Sequence, residues 1–121
     1  MANKKTLVIG ASTNPSRYSY LAVQSLRKHG HSVVALAKRA GQVADVEIQT
    51  SFPENENIHT VTMYVGPGNQ PEYSDSLLKL KPDRVIFNPG TENFELMERL
   101  ESAGIETIEA CTLVMLNTGQ Y

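Results

Sequence analysis

An apolar run from Thr6 to Ile9 stops at Gly10 and passes through the small and polar tract Gly10-Ala-Ser-Thr-Asn-Pro-Ser-Arg17 into a pattern of helical period. No other stretch narrows the choice of fold as much. The apolar run reads as a buried strand. Leu21, Ala22, Ser25, Leu26 and His29 then recur at three- and four-residue spacing, and Gly30 is the expected helix stop. Strand, tight small-residue turn and helix make the front half of a nucleotide-binding βαβ unit.

The turn matters because it gives access to the backbone. Gly10, Ala11 and Ser12 carry little side chain, so a ligand can approach the N–H groups that a helix leaves unpaired at its start. Those groups and the helix dipole favour an anion, most often a pyrophosphate. Asn14, Pro15 and Ser16 add cap and first-turn chemistry, and Arg17 adds a fixed positive charge with a fork suited to phosphate oxygens. Only Gly10 is a glycine, so the three-glycine spacing of dinucleotide sites is missing. The competing reading is a turn that is small for packing alone; an arginine at the helix start weighs against it.

The 121 residues fit one domain, 1–121, with a single core. A net charge of -2, from 11 basic and 13 acidic side chains, offers no overall basic surface to a nucleic acid. The one cysteine, Cys111, rules out an internal disulfide and suits a reducing compartment. No apolar run approaches the ~20 residues of a membrane span. Met1-Ala-Asn-Lys-Lys5 leads directly into a strand, so the expectation is a cytoplasmic protein without a membrane partner.

Further along, Ser32 to Ala37 reads as a second strand, buried on both faces, ending in Lys38-Arg39-Ala-Gly41. An NAD-binding unit would carry an acid here for the ribose hydroxyls. Two bases stand in its place, which fits a ligand with an extra ribose phosphate, or else a solvated basic turn. Val43 to Asn57 is the least legible stretch, with Val46 to Ile48 as a short edge strand and Phe52-Pro53 as a turn that packs its aromatic on the core. His59 to Val65 alternates as a strand and ends in the loop Gly66 to Asn69. A helix from Pro71 to Leu80, a strand from Arg84 to Phe87 and the loop Asn88 to Thr91 follow. The next helix spans Asn93 to Ala103 with Phe94, Leu96, Met97 and Leu100 inward; Glu92, Glu95, Glu98 and Glu101 beside it read as a solvated face. A last strand from Ile105 to Ala110 precedes Cys111 to Leu116, whose apolar end completes the core or forms a dimer contact. The alternation implies an α/β fold, an open, doubly wound parallel sheet of about five strands with helices on both faces. Gly10 to Arg17, Lys38, Gly66 to Asn69, Asn88 to Thr91 and Cys111 then share the carboxyl-end rim, where such sheets bind ligands.

On these residues the chain resembles the CoA-binding domain family, small Rossmann-like proteins similar to the N-terminal domain of the succinyl-CoA synthetase alpha subunit. The resemblance covers nearly the whole chain and is carried by Gly10-Ala-Ser-x-Asn-Pro-Ser-Arg17 with Ser19, by Gly30, Pro71-Glu72, Asn88-Pro-Gly-Thr-Glu-Asn93 and Glu109-Ala-Cys111. It implies coenzyme A or an acyl-CoA as ligand, with the pyrophosphate on Gly10 to Ser12 beside Ser16 and Arg17. It further implies Lys38 near the nucleotide end, Gly66 and Pro67 along the adenine or pantetheine arm, and Asn88, Pro89 and Gly90 nearer the thiol. The chain departs from the family pattern after the second strand, where many members have a proline and this one has Ala35-Leu-Ala-Lys-Arg39, and it follows the pattern loosely from Gly41 to Ser51. The phosphorylated histidine of the synthetase belongs to a domain outside this resemblance, so that reaction does not transfer.

Chemistry within the chain has few candidates. Cys111 reads as a small buried hydrophobe, or as a thiol forming a mixed disulfide with the CoA thiol. His29, His31 and His59 fall on the opposite rim, where a helix-end histidine bonding terminal carbonyls is the better reading than a metal ligand. Tyr18 and Tyr20 near the first helix start either stack on a ligand or pack. Two functions remain open: a non-catalytic module that holds CoA or acyl-CoA, for itself or for a partner protein or second copy, and an enzyme, either a small NADP-dependent reductase or a thiol-dependent acyl transferase using Cys111.

Overall fold

The computed structural model describes residues 3–121. Seven strands form one sheet in the order β3-β4-β2-β1-β5-β6-β7. Its centre is β1 (Thr6–Ile9), paired in parallel with β2 (Val33–Leu36) on one side and β5 (Thr60–Met63) on the other. β6 (Arg84–Phe87) and β7 (Glu106–Glu109) continue the parallel ladder outward from β5.

Beyond β2 the architecture departs from a regular alternation of strand and helix. β3 (Gly41–Val43) and β4 (Val46–Gln49) form an antiparallel hairpin, and β4 then pairs in parallel with β2. The crossover from β2 to its parallel neighbour is thus made by a strand. Val46 to Ile48, read from sequence as an edge strand, lies one place in; β3 is the edge. The hairpin is held because Val43, Val46 and Ile48 all bury on one face. Its two-residue turn places Ala44 at φ 54, a left-handed conformation that a β-carbon makes costly.

The faces of the sheet are sorted by the period of two along the strands. On β1, Leu7 and Ile9 point to one side with Val61, Met63, Val85 and Phe87, beneath helices α2 (Pro71–Leu80) and α3 (Phe94–Ser102). Val8 points to the other side with Ala35, under α1 (Tyr18–Lys28) and α4 (Thr112–Asn117). Central strands buried on both faces need apolar side chains at nearly every position, and β1 supplies them. β2 is less enclosed than its sequence suggests: Ala35 and Leu36 are buried, while Val33 and Val34 are half-buried. Phe52 packs on the larger core as expected.

Two helices present different faces from those the spacing suggests. α1 buries Ser19, Ala22, Val23 and Leu26 and leaves Leu21 exposed. In α3, Leu96 and Leu100 are buried and Met97 packs against them, but Phe94 is 77% exposed. Phe94 is the first helical residue, and at ~100° per residue it stands roughly 160° away from Leu96 around the axis. Asn93 caps this helix, its Oδ1 accepting from the Leu96 N–H at 3.1 Å. The four glutamates beside it are exposed, as expected.

Candidate functional site

Because β1, β2, β5, β6 and β7 run parallel, their carboxyl ends share one rim. Chain connections leave β1 toward β2 on one side and are taken up by β5 on the other, so the strand order reverses at the end of β1. Gly10 stands at this point with φ 94. A β-carbon there would lie 2.9 Å from Val65 Cγ1 and 3.1 Å from the Tyr64 carbonyl carbon, so glycine is demanded by both conformation and space.

The turn after Gly10 does not offer its first amides to a ligand. The N–H groups of Gly10 and Ala11 both donate to the Leu36 carbonyl, at 2.9 and 3.1 Å, continuing the ladder to β2. The free donors come one step later. Ser12 and Thr13 N–H have no partner among the described residues. Ser12 Oγ accepts from Asn14 N–H, and Asn14 Oδ1 accepts from both the Ser16 N–H and the Ser16 hydroxyl, at 3.0 and 2.8 Å. Asn14, Pro15 and Ser16 therefore form a self-bonded turn upstream of α1 and do not cap it. The residue in the cap position is Arg17, with no side-chain cap bond, which leaves the first-turn N–H groups of α1 open.

A cavity of about 350 Å³ separates this turn from the loop after β2. Ala11, Ser12, Thr13, Asn14, Lys38 and Arg39 are among its lining residues. Gly41 lets the two loops meet: a β-carbon on it would fall 2.5 Å from Thr13 Cγ2. Arg17 and Arg39 have no ion-pair partner among the described residues. Lys38 differs, its Nζ donating to Glu72 Oε2 of α2 at 2.5 Å, and this bond holds the ammonium above its ordinary value.

The rest of the rim is a set of internally bonded loops. Asn88, at the end of β6, is 3% exposed. Its Nδ2 donates to Thr62 Oγ1 at 2.7 Å and the Met63 carbonyl at 2.8 Å, and its Oδ1 accepts from Thr112 N–H at 2.9 Å. The side chain is thus fully committed to tying β5, β6 and α4 together. Gln70, also buried, donates to the carbonyls of Val65 and Thr91 and accepts from Asn93 Nδ2. It pins the 3-10 turn Pro67–Asn69 to the loop after β6, and no local sequence pattern marks it. Pro89 and Gly90 are exposed, and Gly90 N–H donates to Glu92 Oε1.

Not every residue singled out from the sequence converges. Gly66 and Pro67 are exposed, and Pro67 lines a separate groove between α2 and α3. Cys111 is a half-buried free thiol in the position before α4. Beside it in the fold is Tyr64, whose hydroxyl is buried without a hydrogen-bond partner among the described residues; burial, with Cys111 contributing, pushes this phenol up to about 12. Tyr18 is 72% exposed, whereas Tyr20 packs against the core under α1. At the opposite rim, His29 Nδ1 lies 2.8 Å from the Ser25 carbonyl, the helix-end contact expected of it. His31 instead accepts the Lys4 N–H and is buried. Among the described residues no cluster of histidine, cysteine or carboxylates is suited to a metal, and no helix is long and apolar enough to cross a membrane.

A cation-lined cavity at a switch point is common to many α/β domains. The model of the CoA binding domain family matches residues 4–117. The chain belongs to this family. Among solved structures, this CoA binding domain is similar to one described only as an uncharacterized protein, at 46% identity over 100% of both chains with a TM-score of 0.96. A hypothetical protein from Pyrococcus horikoshii OT3 shares the fold at 24% identity and TM-score 0.87, over 96% of this chain and 83% of that one. A dinucleotide forming acetyl-coenzyme A synthetase from Ca. Korarchaeum cryptofilum contains the same fold within a longer chain, at 17% identity and TM-score 0.72, over 88% of this chain and 26% of that one. No curated protein matches.

Proposed function

We propose that this domain binds coenzyme A or an acyl-CoA at the carboxyl-end rim, as a module that holds the ligand without transforming it. The observation that carries the reading is the cavity between the turn after β1 and the loop after β2, lined by Ser12, Thr13, Lys38 and Arg39. The ligand's charges match it group by group. The pyrophosphate takes the free N–H groups of Ser12 and Thr13 and the open first turn of α1, with Arg17 alongside. The ribose 3′-phosphate takes Lys38 and Arg39, which stand where an NAD site has its acid. Asn88 supports the site from within the protein: at 3% exposure, both its Nδ2 hydrogens are given to Thr62 Oγ1 and the Met63 carbonyl, and its Oδ1 accepts from Thr112 N–H. The pantetheine arm runs toward the loop Pro89-Gly90 and Cys111.

The holding role is supported by how the polar groups of the rim are spent: Asn88, Thr62 and Thr112 bond one another, and Gln70 is taken up by the Val65 and Thr91 carbonyls and by Asn93. Storage, sensing and delivery to a partner are the uses that fit such a module.

Calorimetric titration of the ligand-free protein with CoA, dephospho-CoA and NADP tests the reading. CoA is expected to bind, and to bind more tightly than dephospho-CoA. Binding of NADP alone overturns the proposal in favour of a reductase; turnover of an acyl-CoA that is lost in Cys111→Ser overturns the holding role.

A further inference from the structure

Of the three cations at the proposed nucleotide end, Arg17, Lys38 and Arg39, only Lys38 has a carboxylate partner among the described residues. Glu72, which supplies it, belongs to a different wall of the site. Lys38 lies two residues beyond β2, whereas Glu72 sits in the first turn of α2, the helix that follows β5. β1 separates those two strands, so the ion pair crosses above the end of β1, over the switch point itself. The Lys38 ammonium also stands 6.0 Å from the centroid of the Tyr73 ring, drawn to the α2 side of the crevice. Arg39, its chain neighbour, has no such tether.

Resting on the CoA reading above, we infer that Glu72 competes with the ribose phosphate of the ligand for Lys38, and so sets how strongly the domain distinguishes CoA from ligands lacking that phosphate. The pair is well exposed on both sides, so breaking it costs little. A phosphate monoester carries a charge of about -1.5 to -2 at neutral pH and out-competes a single carboxylate for one ammonium. When Lys38 leaves, Glu72 stays at the amino end of α2, in the first turn, where the helix dipole favours a negative charge. A ligand without the phosphate finds Lys38 already neutralised and gains nothing from it. Glu72 acts through Lys38 and is a positioning residue.

The experiment is a comparison of Glu72→Gln, Lys38→Ala and the double variant, each titrated with CoA and with dephospho-CoA after its fold is verified by circular dichroism. Glu72→Gln should raise the ratio of CoA to dephospho-CoA affinity by roughly two- to fivefold, the range of an exposed ion pair. In the Lys38→Ala background the same change should leave that ratio where it was, an outcome that a general loss of negative charge or of helix stability would not produce. A ratio that stays constant or falls in Glu72→Gln overturns the inference, since Glu72 would then be a bystander or a ligand-binding group. Wild-type protein that binds neither nucleotide overturns the CoA reading itself and this inference with it.

Discussion

Replacing Asn88 by alanine should cost far more stability than its small size suggests. The side chain makes hydrogen bonds of 2.7, 2.8 and 2.9 Å in a place 3% exposed to solvent. Thr62 Oγ1 keeps its contact with Thr112 Oγ1 at 2.8 Å, so one end of the network survives. Thr112 N–H loses its partner outright at the start of α4, and the Met63 carbonyl loses one of its donors. Three bonds at about 1 kcal/mol each, with an orphaned buried N–H adding about 1 kcal/mol, give a loss of about 3 to 4 kcal/mol. For a domain whose total stability is of order 5–15 kcal/mol, that lowers the melting temperature by roughly 12 to 16 °C. Urea unfolding followed by circular dichroism checks it, with an unchanged m-value as the sign that only stability has moved. Asn88→Asp sharpens the test. A carboxylate can still accept from Thr112 N–H, but it turns an oxygen toward the Met63 carbonyl and donates nothing, so it should destabilise at neutral pH at least as much as alanine. A loss below about 1 kcal/mol in Asn88→Ala would refute the reasoning, because the orphaned groups would then have found other partners.

Arg17→Ala should weaken CoA and dephospho-CoA alike, whereas Lys38→Ala with Arg39→Ala should weaken CoA alone; roughly fivefold losses are expected in titration, and a uniform effect of both changes would separate these cations from the ribose phosphate. Gly41→Ala should push Thr13 out of place, lowering ligand affinity and costing about 1 kcal/mol, and Thr13→Ser, which deletes the methyl met at 2.5 Å, should restore both in the double variant. Burial, aided by Lys4, holds His31 below its ordinary value of 6.5, so the folded state binds fewer protons than the unfolded chain. Stability from this group is therefore present above about pH 6.5 and falls away as pH drops toward the folded value; a urea midpoint that declines from pH 7.5 to 5.5, and declines less in His31→Gln, is the expected result.

Much of this arrangement is legible in the sequence, for particular reasons. The helix Pro71–Leu80 and the strand Arg84–Phe87 match their sequence bounds because a proline opens one and a proline-glycine loop closes the other. The β3–β4 hairpin was missed as a unit because Gly41-Gln-Val43 is short, and its turn carries alanine at φ 54 where the usual signal is asparagine or glycine. Spacing alone puts Phe94 inward, three residues before Met97, but Leu96 and Leu100 set the buried face and Phe94 lies nearly opposite Leu96. In the candidate site, Gly10, Ser12, Arg17 and Lys38 stand out by residue type, but Gly41, Gln70 and Glu72 each act through a partner 21 or more residues away in the chain, Thr13, Thr91 and Lys38.

Local sequence thus determined the strand-turn-helix opening, the absence of an acid after β2 and the common rim for the loops, because these follow from periodicity, backbone chemistry and the parallel course of the strands. Only the tertiary structure decided which amides of the turn are free, since the Leu36 carbonyl claims those of Gly10 and Ala11 across the sheet. It also decided that Asn88 is a tie within the protein and that Lys38 has a carboxylate partner in Glu72. Hydrogen bonds and ion pairs of that kind depend on distances between segments far apart in the chain, and no local pattern of residues encodes them.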